Sequence, residues 1–146
     1  DATDDKVTLT LGLDTYPDWW VGMWVKPLAN AAGGTLWGYG GNNVLYPYNS
    51  TSVRLYWGAS LIYLPGTIQT DAWVFLGAGR QGSAWVVDVN SAMALGTATS
   101  TNTVSSTSFQ VGICNMVGGE ITAFNRLPSA QERLRFFQAT RWRYGA

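Results

Sequence analysis

Seven consecutive residues, Trp19-Trp20-Val21-Gly22-Met23-Trp24-Val25, carry no polar side chain. A continuous apolar run this short is the pattern of a strand covered on both faces. Trp19, Val21, Met23 and Val25 take one face, and Trp20, Gly22 and Trp24 the other. Such a strand needs a partner layer on each side. Tyr16-Pro17-Asp18 before it and Lys26-Pro27 after it mark its ends.

The rest of the chain supplies more strands. Val7, Leu9, Leu11 and Leu13 alternate with Thr8, Thr10 and Gly12, which predicts a strand with one buried face. Short strands are also predicted over 36–39, 53–57, 60–64, 71–78, 84–89, 109–114 and 119–125. Gly, Asn and Ser separate them, as in a sandwich or barrel. Gly40-Gly41-Asn42-Asn43 has turn composition, and Gly79-Arg80-Gln81-Gly82 reads as a hairpin connection. The Ser- and Thr-rich stretch 91–108 is either a long loop or an exposed edge strand. One helix stands out, over about 129–144. Ser129 and Glu132 have capping-box spacing, and Pro128 blocks extension backwards. Ala130, Leu134, Phe137 and Tyr144 share a face that should pack on the sandwich, with Phe136 and Trp142 at its flanks. The expected fold class is therefore all-β: a two-sheet antiparallel sandwich with one C-terminal helix, formed by residues 1–146 as one domain.

Composition narrows the function. The 146 residues carry 9 basic and 9 acidic groups, so no positive field draws nucleic acid. There is no histidine and one cysteine, Cys114. A Ser or Cys nucleophile then lacks its usual base, and no Cys/His zinc site can form. Asp1, Asp4, Asp5, Asp14 and Asp18 have no ligand spacing, so no metal or cofactor is predicted. No apolar run nears the ~20 residues of a membrane helix, and no leader-peptide pattern is visible.

Two segments carry a family resemblance. Trp19 to Pro27, ending Trp-Val-Lys-Pro, resembles an early strand of the concanavalin A-like, laminin-G-like jelly-roll domains. Gly119-Glu120-Ile121-Thr122-Ala123-Phe124-Asn125-Arg126-Leu127-Pro128-Ser129 through Glu132 resembles their closing strand and turn. Arg141-Trp142-Arg143-Tyr144-Gly145 resembles the helix end of bacterial and phage members. Trp73 and the hairpin to Val86-Val87-Asp88-Val89-Asn90 resemble the central hairpin. The resemblance implies a jelly roll and leaves function open, because lectins, adhesion modules, hydrolases and virion proteins share this fold. The β-glucanase branch carries Glu-x-Asp-x-x-Glu on one strand. This chain has two glutamates, Glu120 and Glu132, and neither has a carboxylate at that spacing. The expectation is a protein without catalytic residues.

Of the eight Trp, seven Tyr and five Phe, some must fill the sandwich core and others are harder to bury. Trp37, Tyr39, Asn42, Asn43, Tyr46, Tyr48, Arg54, Tyr56 and Trp57 form a candidate glycan-binding group, with rings to stack on sugars and polar groups to bond hydroxyls. Trp20, Trp24 and Trp142 are candidate interface residues, since Trp is enriched at interfaces. The aromatics are equally open to a purely structural role in the core. Two functions follow: a glycan-binding adhesion module, or a structural virion protein such as a capsid decoration or tail accessory protein. Either places it outside the cell or on a virion surface, its partner a glycan or a neighbouring protein subunit, with self-association compatible and neither nucleic acid nor membrane insertion expected.

Overall fold

The computed structural model describes residues 7–10, 18–28, 37–38, 43–49, 52–57, 60–65, 69, 71–97, 108–111 and 116–145. Among these residues, eleven strands form two antiparallel sheets, followed by one α-helix. The strands are β1 (Val7–Thr10), β2 (Asp18–Pro27), β3 (Trp37–Gly38), β4 (Asn43–Asn49), β5 (Ser52–Trp57), β6 (Ser60–Pro65), β7 (Val74–Gln81), β8 (Ala84–Val89), β9 (Ala92–Thr97), β10 (Ser108–Val111) and β11 (Met116–Phe124). The six-stranded sheet has the order β1-β10-β3-β4-β5-β6, and the five-stranded sheet β11-β2-β7-β8-β9. The sheets meet where β6 lies against β8 and β9. This is the expected two-sheet sandwich.

β2 lies between β11 and β7, and its apolar run is buried on both faces. Its inner face holds Trp19, Val21, Met23 and Val25, paired across the ladder with Arg80, Ala78, Leu76 and Val74 of β7. Arg80 is buried here, with its guanidinium 5.7 Å from the Trp85 ring centre. Burial pushes its pKa down, and the nearby Asp18 carboxylate partly offsets this. The outer face holds Trp20 and Trp24, and the helix α1 (Ala130–Thr140) covers it. The Trp20 ring lies flat over two glycines. A Cβ at Gly22 would fall 2.1 Å from Trp20 Cη2, and one at Gly77 2.8 Å from Trp20 Cζ2. The glycines are the floor on which the indole rests.

α1 starts as predicted. Ser129 Oγ accepts from the Glu132 amide at 3.3 Å, and Glu132 Oε2 accepts from the Ser129 amide at 2.7 Å. Arg126 donates to both Glu132 oxygens, at 3.0 and 2.6 Å. These contacts, led by Arg126, hold the Glu132 carboxyl at about 2. A lowered folded pKa stabilises above the ordinary carboxyl range and is lost as pH falls toward that value.

The structure corrects several boundaries. β7 begins at Val74 rather than 71, and its turn is Gly82-Ser83 instead of Gly79–Gly82. Gly82 has φ +56° and donates its amide to Asp18 Oδ1 at 2.9 Å, so the tight turn needs the glycine's freedom. Asn43, expected in a 40–43 turn, instead opens β4, a strand that the sequence does not signal, and residues 40–42 lie outside the described residues. The 91–108 stretch contains edge strand β9. α1 ends at Thr140 and tightens into a 3-10 turn, Arg141–Arg143, rather than running to 144.

The buried face of α1 also differs from the predicted one. Arg133, Phe137 and Thr140 are buried, whereas Ala130 is exposed and Leu134 is 38% exposed. The sheet presents polar hydrogen-bonding groups at this contact, and polar helix residues answer them. Trp24 Nε1 donates to Thr140 Oγ1 at 2.8 Å, and Thr140 donates on to the Phe136 carbonyl at 2.9 Å. Thr140→Val, which keeps the shape and strands the indole N–H, should cost about 1–3 kcal/mol in a urea melt. Beyond the helix, Tyr144 stacks on Trp24 at 4.7 Å, and its hydroxyl accepts from the Glu120 amide at 2.8 Å. A β-bulge in β11 between Gly118 and Ile121 makes room for this contact, and a Cβ at Gly119 would sit 2.8 Å from Tyr144 Cε1.

Candidate functional site

The ladders of the six-stranded sheet sort the aromatic-rich segment into rows, since residues directly opposite in an antiparallel sheet share a face. Trp37, Leu45, Leu55 and Ile62 make one row across β3 to β6. Tyr46, Arg54 and Tyr63 make the next. Gly38, Val44, Tyr56 and Leu61 make the row on the other side of Trp37, and Asn43, Trp57 and Ser60 the one beyond. Successive rows alternate between the faces.

This alternation divides the sheet chemically. One parity holds Val7, Leu9, Phe109, Val111, Trp37, Leu45, Leu55, Ile62, Val53, Leu64 and Trp57. The other holds Thr8, Thr10, Ser108, Gln110, Tyr46, Arg54, Tyr56 and Tyr63, together with Gly38, Val44 and Leu61. The first is mainly apolar, the composition a sheet turns to its partner in a sandwich, and the second carries most of the polar and tyrosine residues.

The candidate binding residues therefore do not form one group. Tyr46, Arg54 and Tyr56 fall together on the polar parity. Trp37, Asn43 and Trp57 fall on the apolar parity. Tyr48 sits at the register shift between Pro47 and Asn49, and Tyr39 and Asn42 lie outside the described residues. Tyr63, which the sequence did not single out, joins the row through its pairing with Arg54. A parity count along 53–57 and 60–64 could have found it.

Two of the three candidate interface residues are corrected. Trp20 and Trp24 are fully buried beneath α1, so no partner reaches them without removing the helix. The strand is covered on both sides, as its apolar run requires, and the second cover is the chain's own C-terminus. Trp142 is 73% exposed, with Nε1 donating to the Ala139 carbonyl at 2.9 Å and the Arg143 guanidinium 5.5 Å from its ring centre.

The buried polar centre of the five-stranded sheet has a different character. Asp88 Oδ2 accepts from Trp20 Nε1 at 2.9 Å, and Asp88 Oδ1 accepts from Arg133 Nε at 3.2 Å. Arg133 also donates to the Pro128 carbonyl. Burial raises the Asp88 pKa, and Arg133 and the Trp20 hydrogen bond pull it partly back. Both oxygens are engaged in fixing the helix to the sheet, which is structural work. Among the described residues, no three His, Cys, Asp or Glu side chains gather where they could hold a metal ion, and no helix is long and apolar enough to cross a membrane.

No protein-family profile and no curated protein matches the sequence. Solved structures do match the fold. A heptameric SAP-like pentraxin from Limulus polyphemus superimposes with a TM-score of 0.67 at 12% identity, over 88% of this chain and 73% of that one. The CBM40 domain of the Ruminococcus gnavus IT-sialidase, solved bound to α2,3-sialyllactose, gives 0.66 at 12% identity, over 86% of this chain and 84% of that one. Trypanosoma rangeli sialidase in complex with sialic acid gives 0.69 at 14% identity, over 95% of this chain and 27% of that much longer one. The fold is thus an antiparallel two-sheet jelly-roll sandwich.

Proposed function

We propose that the protein is a glycan-binding module without catalytic residues, and that it contacts sugar through the polar face of the six-stranded sheet. The observation that carries this reading is the row Tyr46–Arg54–Tyr63, in which one arginine is paired across the ladder with a tyrosine on each side. Tyrosine rings give amphipathic surfaces on which sugar rings stack. A guanidinium between them suits a sugar that bears a carboxylate, which it can bind in a bidentate manner. Tyr56, on the neighbouring row of the same parity, extends the surface. Support for a sugar ligand comes from the CBM40 domain of the same fold, solved bound to α2,3-sialyllactose. Nothing in the structure or in these matches favours the virion reading.

The parity split decides which variants test the reading. On a glycan array, the wild-type protein should bind sugars that carry an acidic residue, and Tyr46→Ala should weaken that binding by about 1–3 kcal/mol, the scale of one lost ring contact. Trp57→Ala, on the apolar parity, should instead lower stability. Binding lost in Trp57→Ala at unchanged stability, but kept in Tyr46→Ala, would put the site on the opposite face and refute the proposal.

A further inference from the structure

A second site lies on the other sheet, along the flank of α1. The β11 end and the helix enclose a groove of about 380 Å³. Two rings line it, Phe124 and Phe136, standing 6.0 and 6.1 Å centre to centre from the Trp20 ring buried beneath them, and the Arg126 guanidinium lies 5.6 Å from the Phe124 ring centre. Ala139 continues the lining toward the C-terminal end of α1, where its carbonyl holds the exposed Trp142. Arg126 and Arg135 stand at the rim with Glu132. Phe124, Phe136, Pro128 and Ala139 give the groove an apolar wall and Arg126, Glu132, Arg133 and Arg135 a charged one, a combination of apolar surface and a few fixed polar groups that suits a small molecule.

The charges select the ligand. Glu132 is matched by Arg126 in a two-bonded ion pair, so these two cancel at the rim. Arg133 is committed to Asp88 below. Arg135 makes no ion pair or hydrogen bond among the described residues, and it leaves the groove with one uncompensated positive charge. We propose that this groove binds a small apolar anion: a ring system of about two aromatic or alicyclic rings bearing one carboxylate or sulfonate. The rings fill the trough against Phe124 and Phe136, above the buried Trp20, and the anionic group meets Arg135. This site shares no residue with the sheet face proposed for glycan.

Two dyes with the same ring framework test it: anilinonaphthalene sulfonate, which is anionic, and N-phenylnaphthylamine, which is neutral. The anionic dye should saturate at one site per chain and bind at least about tenfold more tightly than the neutral one. Arg135→Glu should weaken the anionic dye by at least about tenfold and leave the neutral dye unchanged. Ala139→Trp, which fills the groove from an exposed helix position, should abolish both, while thermal unfolding midpoints confirm that each variant stays folded. Non-saturable binding, equal affinity for the two dyes, or binding that survives Ala139→Trp would overturn the proposal.

Discussion

Arg133→Met is expected to destabilise the protein by about 3–5 kcal/mol, because it leaves the Asp88 carboxylate buried without its counter-charge. The pair is enclosed, with side-chain exposures of 5% and 8%. Asp88→Asn should cost a similar amount by stranding the guanidinium, although an asparagine oxygen can still accept from Trp20. The double variant Asp88→Asn/Arg133→Met removes both charges and keeps that acceptor, so its cost should fall short of the sum by about 2–3 kcal/mol. The pH dependence has a defined sign. The folded protein holds the Asp88 proton more tightly than the unfolded chain does. This group's contribution is therefore fully present below the ordinary carboxyl pKa and is lost as pH rises through the raised one. Without Arg133 the carboxyl pKa rises further, so the Arg133→Met penalty should be smaller at about pH 5 than at about pH 8. Urea titrations of the four proteins at both pH values measure all of these differences. An Arg133→Met cost that is the same at both would show that Asp88 is not the group left uncompensated.

Gly22→Ala, a single added methyl, should destabilise by about 3 kcal/mol, the upper end of what overpacking costs. The new Cβ would lie 2.1 Å from Trp20 Cη2 and 2.7 Å from Phe75 Cζ. Trp20 cannot slide away, because its N–H is fixed on Asp88 and it packs against Phe75, Phe124 and Phe136. Moving the ring would therefore break the hydrogen bond that ties β2 to β8. Gly82→Ala supplies the contrast. Nothing lies within 4 Å of its Cβ, so only the positive φ resists, at roughly 1 kcal/mol. Trp20→Phe should restore part of the stability that Gly22→Ala loses. Equal costs for the two glycine variants in urea denaturation would show that the trough is not tightly filled.

The local signals were legible in the sequence wherever one element carried them. The apolar run of β2 demanded cover on both faces, and the capping box placed the start of α1 at the right residue. Signals that depend on two distant segments were not legible. Asp88 looks isolated in its hairpin because its partner lies 45 residues away. The apolar spacing of α1 pointed to Ala130 and Leu134, yet the sheet beneath offers a carboxylate and an indole N–H, so Arg133 and Thr140 turn inward. β4 escaped notice because Asn43, Pro47 and Asn49 are turn-forming types that here sit in a ladder with β5. The aromatic-rich segment reads in the sequence as one group although it spans both faces of the sheet. Only strand register separates Tyr46, Arg54 and Tyr56 from Trp37 and Trp57.

Calorimetric titration of α2,3-sialyllactose into wild-type protein and Arg54→Ala measures whether the polar parity of the six-stranded sheet binds an acidic sugar. The wild type should bind saturably, and Arg54→Ala should lose at least about tenfold, the scale of one charge-assisted contact, with the unfolding midpoint unchanged. Equal affinity in the two proteins, or a folded wild type that binds no acidic sugar, would contradict binding on that face.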